Sequence, residues 1–294
     1  MAKDMGKPIW SDELVRKIYN AFPEGKMKAF TLSYDDGVTS DVRLVEMMRK
    51  YGIRGTFNLN TGLMPEKSEM DQEPWGHMTM EECVELYGDD MEVAVHGKLH
   101  PFWNKLPTAQ AMVDILDNRR ELERAFGRII RGAAYPYGST NDDVVEILRL
   151  ADFQYCRTGK GGKMGMKNEP DWLRLQCTCS HKDPKLMEYV EKFLKPVSGG
   201  IRQMFYVAGH SYELVLQDNW EVMEELLETV SGKDDVWYAT NIEIVEYCKA
   251  GERLIFNLDQ TICRNPTDID QWLLVGPEKT VVHVPAGKTV RLPE

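Results

Sequence analysis

The sequence predicts an α/β fold of β/α units around a parallel sheet, ending in a small β appendage. Three observations carry this. Short β-branched or apolar runs alternate with longer helical patterns from Ala29 to about Ala250, the pattern of strands joined by crossover helices. Polar or turn-forming clusters directly follow four of the runs, as in a barrel whose reactive groups gather at the carboxyl ends of its strands. From Gly251 onward the texture changes to short strand-like stretches, LIFNL, WLLV, TVVHV and TVRL. The expected organisation is an N-terminal extension over 1–28, a β/α domain over 29–250 and an appendage over 251–294. The appendage reads as a structural extension, with a carbohydrate-binding accessory as the other option.

The strands are expected at AFTLSY (29–34), RGTFNL (54–59), MEVAV (91–95), IIRGAAY (129–135), MFYVA (204–208) and VWYAT (236–240), with weaker runs at 153–157 and 173–178. Helical patterns fill 42–51, 109–126, 142–150, 185–194 and 220–230. Within 109–126, Met112, Ile115, Leu116, Leu122 and Phe126 fall near a 3.6-residue period, which gives one apolar face to lay on the sheet. Pro107 and Thr108 open that helix as breaker and cap, and Asp41 is a candidate cap for the helix at 42–51. The Gly/Lys-rich stretch 159–167 reads as a mobile loop.

Composition narrows function. With 36 basic against 47 acidic side chains, the formal net charge of the 294 residues is −11, the wrong sign for neutralising phosphates, so nucleic acid and anionic membrane are not expected partners. No apolar run approaches a membrane span, and the start MAKDMGKPIW has no uninterrupted apolar stretch. Six scattered cysteines fit free thiols in a reducing compartment, which points to the cytoplasm. The composition leaves the oligomeric state open.

The candidate chemistry lies at strand ends. Asp35, Asp36 and Gly37 end the first run; adjacent carboxylates both stay ionised only beside a metal or a basic neighbour, although an Asp-Asp-Gly turn alone is compatible with a solvated turn. The third run leads into His96-Gly-Lys-Leu-His100-Pro101, two imidazoles four apart that a short helical turn would align. With Asp36 they offer two nitrogens and one oxygen, the open three-ligand arrangement of catalytic zinc sites. Tyr135, Pro136, Tyr137 and Gly138 follow the fourth run, and Gly209 and His210 follow MFYVA.

These residues together resemble the polysaccharide deacetylases (NodB-homology domains, carbohydrate esterase family four) over Ala29 to about Ala250. TLSYDDG looks like that family's first motif, HGKLH its second, AYPYG its third, and His210 fits the histidine of its fifth; GIRGTFNLNTG also looks like its second strand. The resemblance implies a distorted (β/α) barrel of about seven parallel strands that removes acetyl groups from a carbohydrate substrate, with the N-acetyl amide of an amino sugar favoured. It implies a divalent metal, Zn2+ first and Co2+ or Ni2+ as options, held by Asp36, His96 and His100. Asp35 would be the general base, the Tyr137 backbone N–H an oxyanion donor and His210 the general acid. The family's third-motif arginine is Ala134 here, the leucine before its acid histidine is Ala208, and Gly97 replaces a Ser/Thr. Asp171 and Trp172 are the best candidates for the fourth motif, and Arg174 is the candidate to replace the missing arginine beside Asp35. Trp172, Trp103 and Tyr135, with Trp75 and Phe102, are candidates to stack on sugar rings, core packing being the competing explanation.

Other readings remain open. A related C–N hydrolase or sugar O-acetyl esterase would use the same site, and a decayed carbohydrate binder is motivated by Ala134 and Ala208. Cys177, Cys179 and His181 alternate with period two, as one face of a strand would present a second metal set, but no fourth ligand is nearby. His77 and His283 have no partner in sequence and read as surface or locally hydrogen-bonded residues. Gly287-Lys-Thr lacks the first glycine of a phosphate loop, residues 209–213 lack the closing glycine of a nucleophile elbow, and the β/α alternation argues against a mononuclear iron oxygenase.

Overall fold

A computed structural model describes residues 17–68, 73–166 and 170–293. Contacts divide the described residues into two compact units, one of Lys28–Glu246 and one made of those up to Met27 with those from Tyr247 onward.

The larger unit is the α/β barrel. Its strands are β1 (Lys28–Asp36), β2 (Thr56–Leu59), β3 (Glu92–Val95), β4 (Gly132–Ala134), β5 (Tyr155–Lys160), β6 (Leu175–Cys177), β7 (Cys179–Ser180), β8 (Gln203–Gly209) and β9 (Val236–Tyr238). Eight of them follow one path, β6-β5-β4-β3-β2-β1-β8-β7, with β9 paired beside the start of β1, and every pairing is parallel. Closure comes from a single stretch of chain. Cys177 pairs with Lys160 of β5, whereas Cys179 pairs with Val207 of β8 and the Thr178 N–H donates to the Tyr206 carbonyl. The run expected at 173–178 therefore breaks at Thr178 into two short strands serving opposite edges, so that the sheet is nearly closed.

The helices α1 (Asp41–Lys50), α2 (Met80–Tyr87), α3 (Thr108–Phe126), α4 (Asp142–Leu150), α5 (Leu186–Leu194), α6 (Ser211–Leu216), α7 (Trp220–Val230) and α8 (Asn241–Glu252) follow in order, α8 ending in residues counted with the smaller unit. α2 escaped the periodicity reading. It is announced instead by a capping box, in which Thr79 Oγ accepts from the Glu82 N–H while Glu82 accepts from the Thr79 N–H. Asp41 is not the cap of α1; it sits inside the first turn, buried, and accepts from the Val38 N–H and the Tyr87 hydroxyl. The stretch expected to be a mobile loop is tied down. β5 runs on to Lys160, Gly161 and Gly162 donate to the Cys177 carbonyl, and Met164 and Met166 bond the backbone at Met204 and Arg202; Lys167 lies outside the described residues.

The core is apolar and continuous, with Phe30, Leu32, Phe57, Val93, Val95, Phe205 and Val207 from the sheet meeting Leu44, Ile115, Leu148, Val190 and Leu226 from the helices. Burying each such side chain contributes roughly 1.5–3 kcal/mol.

In the smaller unit, Ile18–Ala21 pairs antiparallel with Gln271–Val275, which pairs with Thr280–Val284. Ile255–Phe256, Ile262–Arg264 and Thr289–Arg291 form a second small antiparallel sheet. Residues expected as separate extension and appendage thus share one unit around Cys263, Leu273, Val275, Val284 and Leu292. His283, read as a surface or locally hydrogen-bonded residue, bonds Asp270 at 2.8 Å and stacks on Trp272. His77 pairs through its backbone with Val38. All six cysteines are buried thiols outside any disulfide, and among the described residues no helix is long and apolar enough to cross a membrane.

Candidate active site

Sheet register brings the candidate residues to one level. Asp35 and Asp36 end β1 opposite Asn58 and Leu59; Leu59 faces Val95, the residue before His96; Ala134 at the end of β4 faces Arg157 in β5; and Tyr34 faces Gly209, the residue before His210. Parallel strands in register deliver their successors to the same rim, which is the carboxyl end of this barrel.

Asp36, His96 and His100 form the metal-competent cluster found among the described residues. The imidazole Nε2 atoms lie 3.2 Å apart, and Asp36 Oδ1 is 3.7 Å from His96 Nε2 and 3.9 Å from His100 Nε2. Donors about 2.0–2.1 Å from a tetrahedral ion stand about 3.3–3.4 Å apart, so the set fits one zinc-sized cation with little movement. His96 Nδ1 lies 2.9 Å from the Ala134 carbonyl, the outer partner that leaves Nε2 as the free lone pair. Burial holds His96 down to about 4, despite the Asp35 charge, and burial also lowers His100, so both imidazoles are neutral, as ligands must be.

The histidines do not meet through a helical turn, as their spacing had suggested. Gly97 at φ +81° and His100 at φ +52° fold the loop back on itself. The loop is clamped from α3 and β2: Asp114 accepts from the N–H groups of Lys98 and Leu99 and from Trp103 Nε1, Asn118 accepts from the His96 N–H, and Asn60 donates to the His96 and Gly97 carbonyls. A side chain at Gly97 would begin 2.9 Å from Asp114 Oδ2, which accounts for the glycine. Asp36 and Tyr137 also adopt left-handed φ, +81° and +59°. Strain of this kind, on the order of 1–3 kcal/mol per residue, persists where surrounding structure enforces it and is common at functional sites.

Beside the cluster, Asp35 is 5% exposed and its two oxygens accept from Arg157 Nη2 at 2.6 and 2.5 Å, with Asn58 Nδ2 at 2.8 Å. Burial alone would raise its pKa; the Arg157 guanidinium, with His96 and His210 nearby, overturns this and holds the carboxylate well below its usual range. Burial and the Asp35 charge push Asp36 the other way, to about 6. His210 Nε2 is 3.7 Å from Asp35 Oδ2 and 3.8 Å from Asp36 Oδ2, and its Nδ1 is 3.4 Å from Glu213. Burial works against its protonation, but Glu213, Asp35 and Asp36 together raise its pKa.

Several expected roles move. Arg174 does not reach Asp35: it pairs with Asp171 at 3.1 Å and with Asp142. The arginine beside Asp35 is Arg157, across the sheet from Ala134. Asp171 is 56% exposed on its side chain and makes no polar contact with His210 among the described residues; the carboxylate beside that histidine is Glu213. Trp103 is fully buried with its indole N–H on Asp114, Tyr135 is buried with its hydroxyl on the Leu173 carbonyl, and Trp172 is buried too, so none of the three offers a ring face to a sugar. Cys177, Cys179 and His181 form no metal cluster among the described residues, and His181 faces Tyr34 and Glu213 instead. One exposed aromatic at the rim is Tyr137, edge-on to His100 and stacked on Phe102 at 3.9 Å. Arg157 had a signal, an arginine closing the run FQYCR at a strand end. Glu213 had only its spacing of three from His210.

A family model described as polysaccharide deacetylase matches residues 23–156. Over that stretch the chain resembles the polysaccharide deacetylase family. This places the chain among hydrolases that act on carbon–nitrogen bonds other than peptide bonds. Among solved structures the chain is similar to an inferred polysaccharide deacetylase from Mycobacterium smegmatis, with 15% identity and TM-score 0.56 over 82% of this chain and 96% of that one. It is also similar to the chitin deacetylase of the fungal pathogen Colletotrichum lindemuthianum, with 15% identity and TM-score 0.50 over 74% and 87%. At these identities the likeness is one of fold. No curated protein matches the chain.

Proposed function

We propose that the protein is a metal-dependent carbohydrate deacetylase that hydrolyses the N-acetyl amide of an amino sugar. The observation that carries this reading is the meeting, at one rim, of a three-donor metal cluster, an ionised buried carboxylate and a carboxylate-backed histidine, drawn from separate strands.

A divalent ion, zinc by the donor set, would be held by Asp36, His96 and His100 and would supply Lewis acidity at the acetyl oxygen and a more acidic water. The remaining work falls to the protein. Asp35, kept charged by Arg157 and Asn58, accepts the proton of the attacking water. The backbone N–H of Tyr137, set in a tight turn after Pro136, donates to the oxyanion of the tetrahedral intermediate. His210, whose protonated form Glu213 favours, gives a proton to the departing amine, so that the nitrogen leaves as an amine and acetate remains. Ala134, which had suggested a decayed site, loses that force because Arg157 supplies a guanidinium at the same height from the neighbouring strand. Cysteines outside any disulfide fit a reducing, cytoplasmic setting.

The test is metal analysis joined to acetate release. Protein purified without chelator should hold about one divalent ion per chain, and His96→Ala and His100→Ala should lose both the ion and acetate release from N-acetylglucosamine oligomers. Wild-type protein with no affinity for zinc on titration would refute the reading.

A further inference from the structure

Beside the metal cluster, three buried polar atoms lack a hydrogen-bond partner: His210 Nδ1, Glu213 Oε2 and His181 Nε2. They face one another. His210 Nδ1 is 3.4 Å from Glu213 Oε1, and His181 Nε2 is 3.5 Å from Glu213 Oε2. Buried polar atoms left unbonded are costly, and a closure of a few tenths of an ångström would satisfy all three. Lys182 Nζ holds Oε1 at 2.5 Å from the other side.

The far end of this row is built with care. The His181 side chain is fully buried, its ring lies flat on Tyr34 at 5.6 Å and 6°, and its Nδ1 is 3.2 Å from the Tyr34 hydroxyl. On its other side lies Gly209, the residue before His210. A Cβ there would fall 2.1 Å from His181 Nδ1 and 2.4 Å from Cε1, so position 209 is glycine because His181 fills the space. Backbone pairing of the His181 N–H to the Ala208 carbonyl fixes the approach.

We infer that His181 is a positioning residue: by donating from Nε2 to Glu213 Oε2, it locks that carboxylate against His210 Nδ1. A neutral imidazole has one N–H and one lone pair. The Tyr34 hydroxyl, with one proton, lies 3.2 Å from both His181 Nδ1 and Met223 Sδ and does not by itself fix the tautomer; the Glu213 carboxylate, paired with Lys182 and able only to accept, draws the His181 proton to Nε2. Lys182 alone engages one carboxylate oxygen and leaves the group free to turn; His181 fixes the second. His210 is then held with its proton on Nδ1, and Nε2 is the atom presented to the rim. The acid role of His210 rests on the function proposed above, but the tautomer lock does not.

Histidine-selective 15N NMR of the zinc-loaded protein, with acetate release measured in parallel, tests this. In wild type the His210 signals should show a protonated Nδ1. His181→Phe keeps the stack on Tyr34 and removes both nitrogens; His210 should then average between tautomers, and kcat on N-acetylglucosamine oligomers should fall about tenfold with KM and zinc content unchanged. His181→Gln, which restores an N–H donor, should recover both. Unchanged His210 shifts in His181→Phe would overturn the inference. Should that variant not fold, Glu213→Gln carries the comparison, and wild-type His210 shifts there would equally overturn it. If wild type releases no acetate while His210 still responds to position 181, the proposed function fails and the lock stands.

Discussion

Two buried carboxyls at opposite ends of the barrel ionise in opposite ways. At the carboxyl end of β1, Asp35 is 5% exposed and held well below the normal carboxylate range; at the amino end of β3, Glu92 is 8% exposed and pushed up to about 7. Desolvation is the largest influence on both and raises both. What differs is the company. Asp35 has the Arg157 guanidinium against both oxygens, whereas Glu92 accepts only from the Tyr155 hydroxyl at 2.6 Å, Thr56 Oγ1 at 2.8 Å and the Ile242 N–H at 2.8 Å. Arginines do line the roughly 180 Å³ cavity at that end, but Arg54 is committed to Glu243 and Arg128 to the Met91 carbonyl. A buried carboxyl keeps its charge only where a cation is spent on it alone, and in this barrel that happens at the end where the metal-competent cluster lies.

The largest effect should come from Arg157→Met. It strands a buried charge, and urea denaturation at pH 7 should read a loss of about 3–5 kcal/mol; a loss under about 1 kcal/mol would mean that the pair does not set the contrast. Asp35→Asn should leave bound metal unchanged while acetate release falls on the order of 10²–10⁴-fold, and undiminished turnover would assign the base elsewhere.

The amino end is probed by pH. A carboxyl whose folded pKa is raised contributes its stability below the unfolded value, about 4.3, and loses it as pH climbs through about 7. Glu92→Gln mimics the protonated form, so the fall in stability between pH 5 and 8 should shrink by about 2–3 kcal/mol; an unaltered slope would show that Glu92 ionises freely. Asp35 has the reverse sign, its contribution being present above about 4 and lost as pH drops below that. The smallest effect is expected for Arg174→Ala. Its ion pairs are on the surface, so stability should change by less than about 0.5 kcal/mol and turnover should stay at the wild-type level.

Most of the frame was legible in the sequence. AFTLSYDDG, MEVAVHGKLH and MFYVAGH each carry an apolar run straight into reactive side chains, and apolar runs and turn chemistry are local properties that a linear reading captures. Trp103 and Tyr135 were misjudged because an aromatic beside a motif looks the same in sequence whether its ring faces a rim or a core. The break at Thr178 was hidden because its cause is the need of two distant sheet edges for partners.

The sequence by itself determined the β/α alternation and which strand ends bear aspartates and histidines, since both follow from local pattern. Only the tertiary structure decided that Arg157, 122 residues from Asp35, fills the place expected of Arg174, and that Glu213 stands behind His210. Those choices depend on register: the pairing of Ala134 with Arg157 across β4 and β5 sets which guanidinium arrives at the height of Asp35, and register between strands is fixed by the closed sheet as a whole.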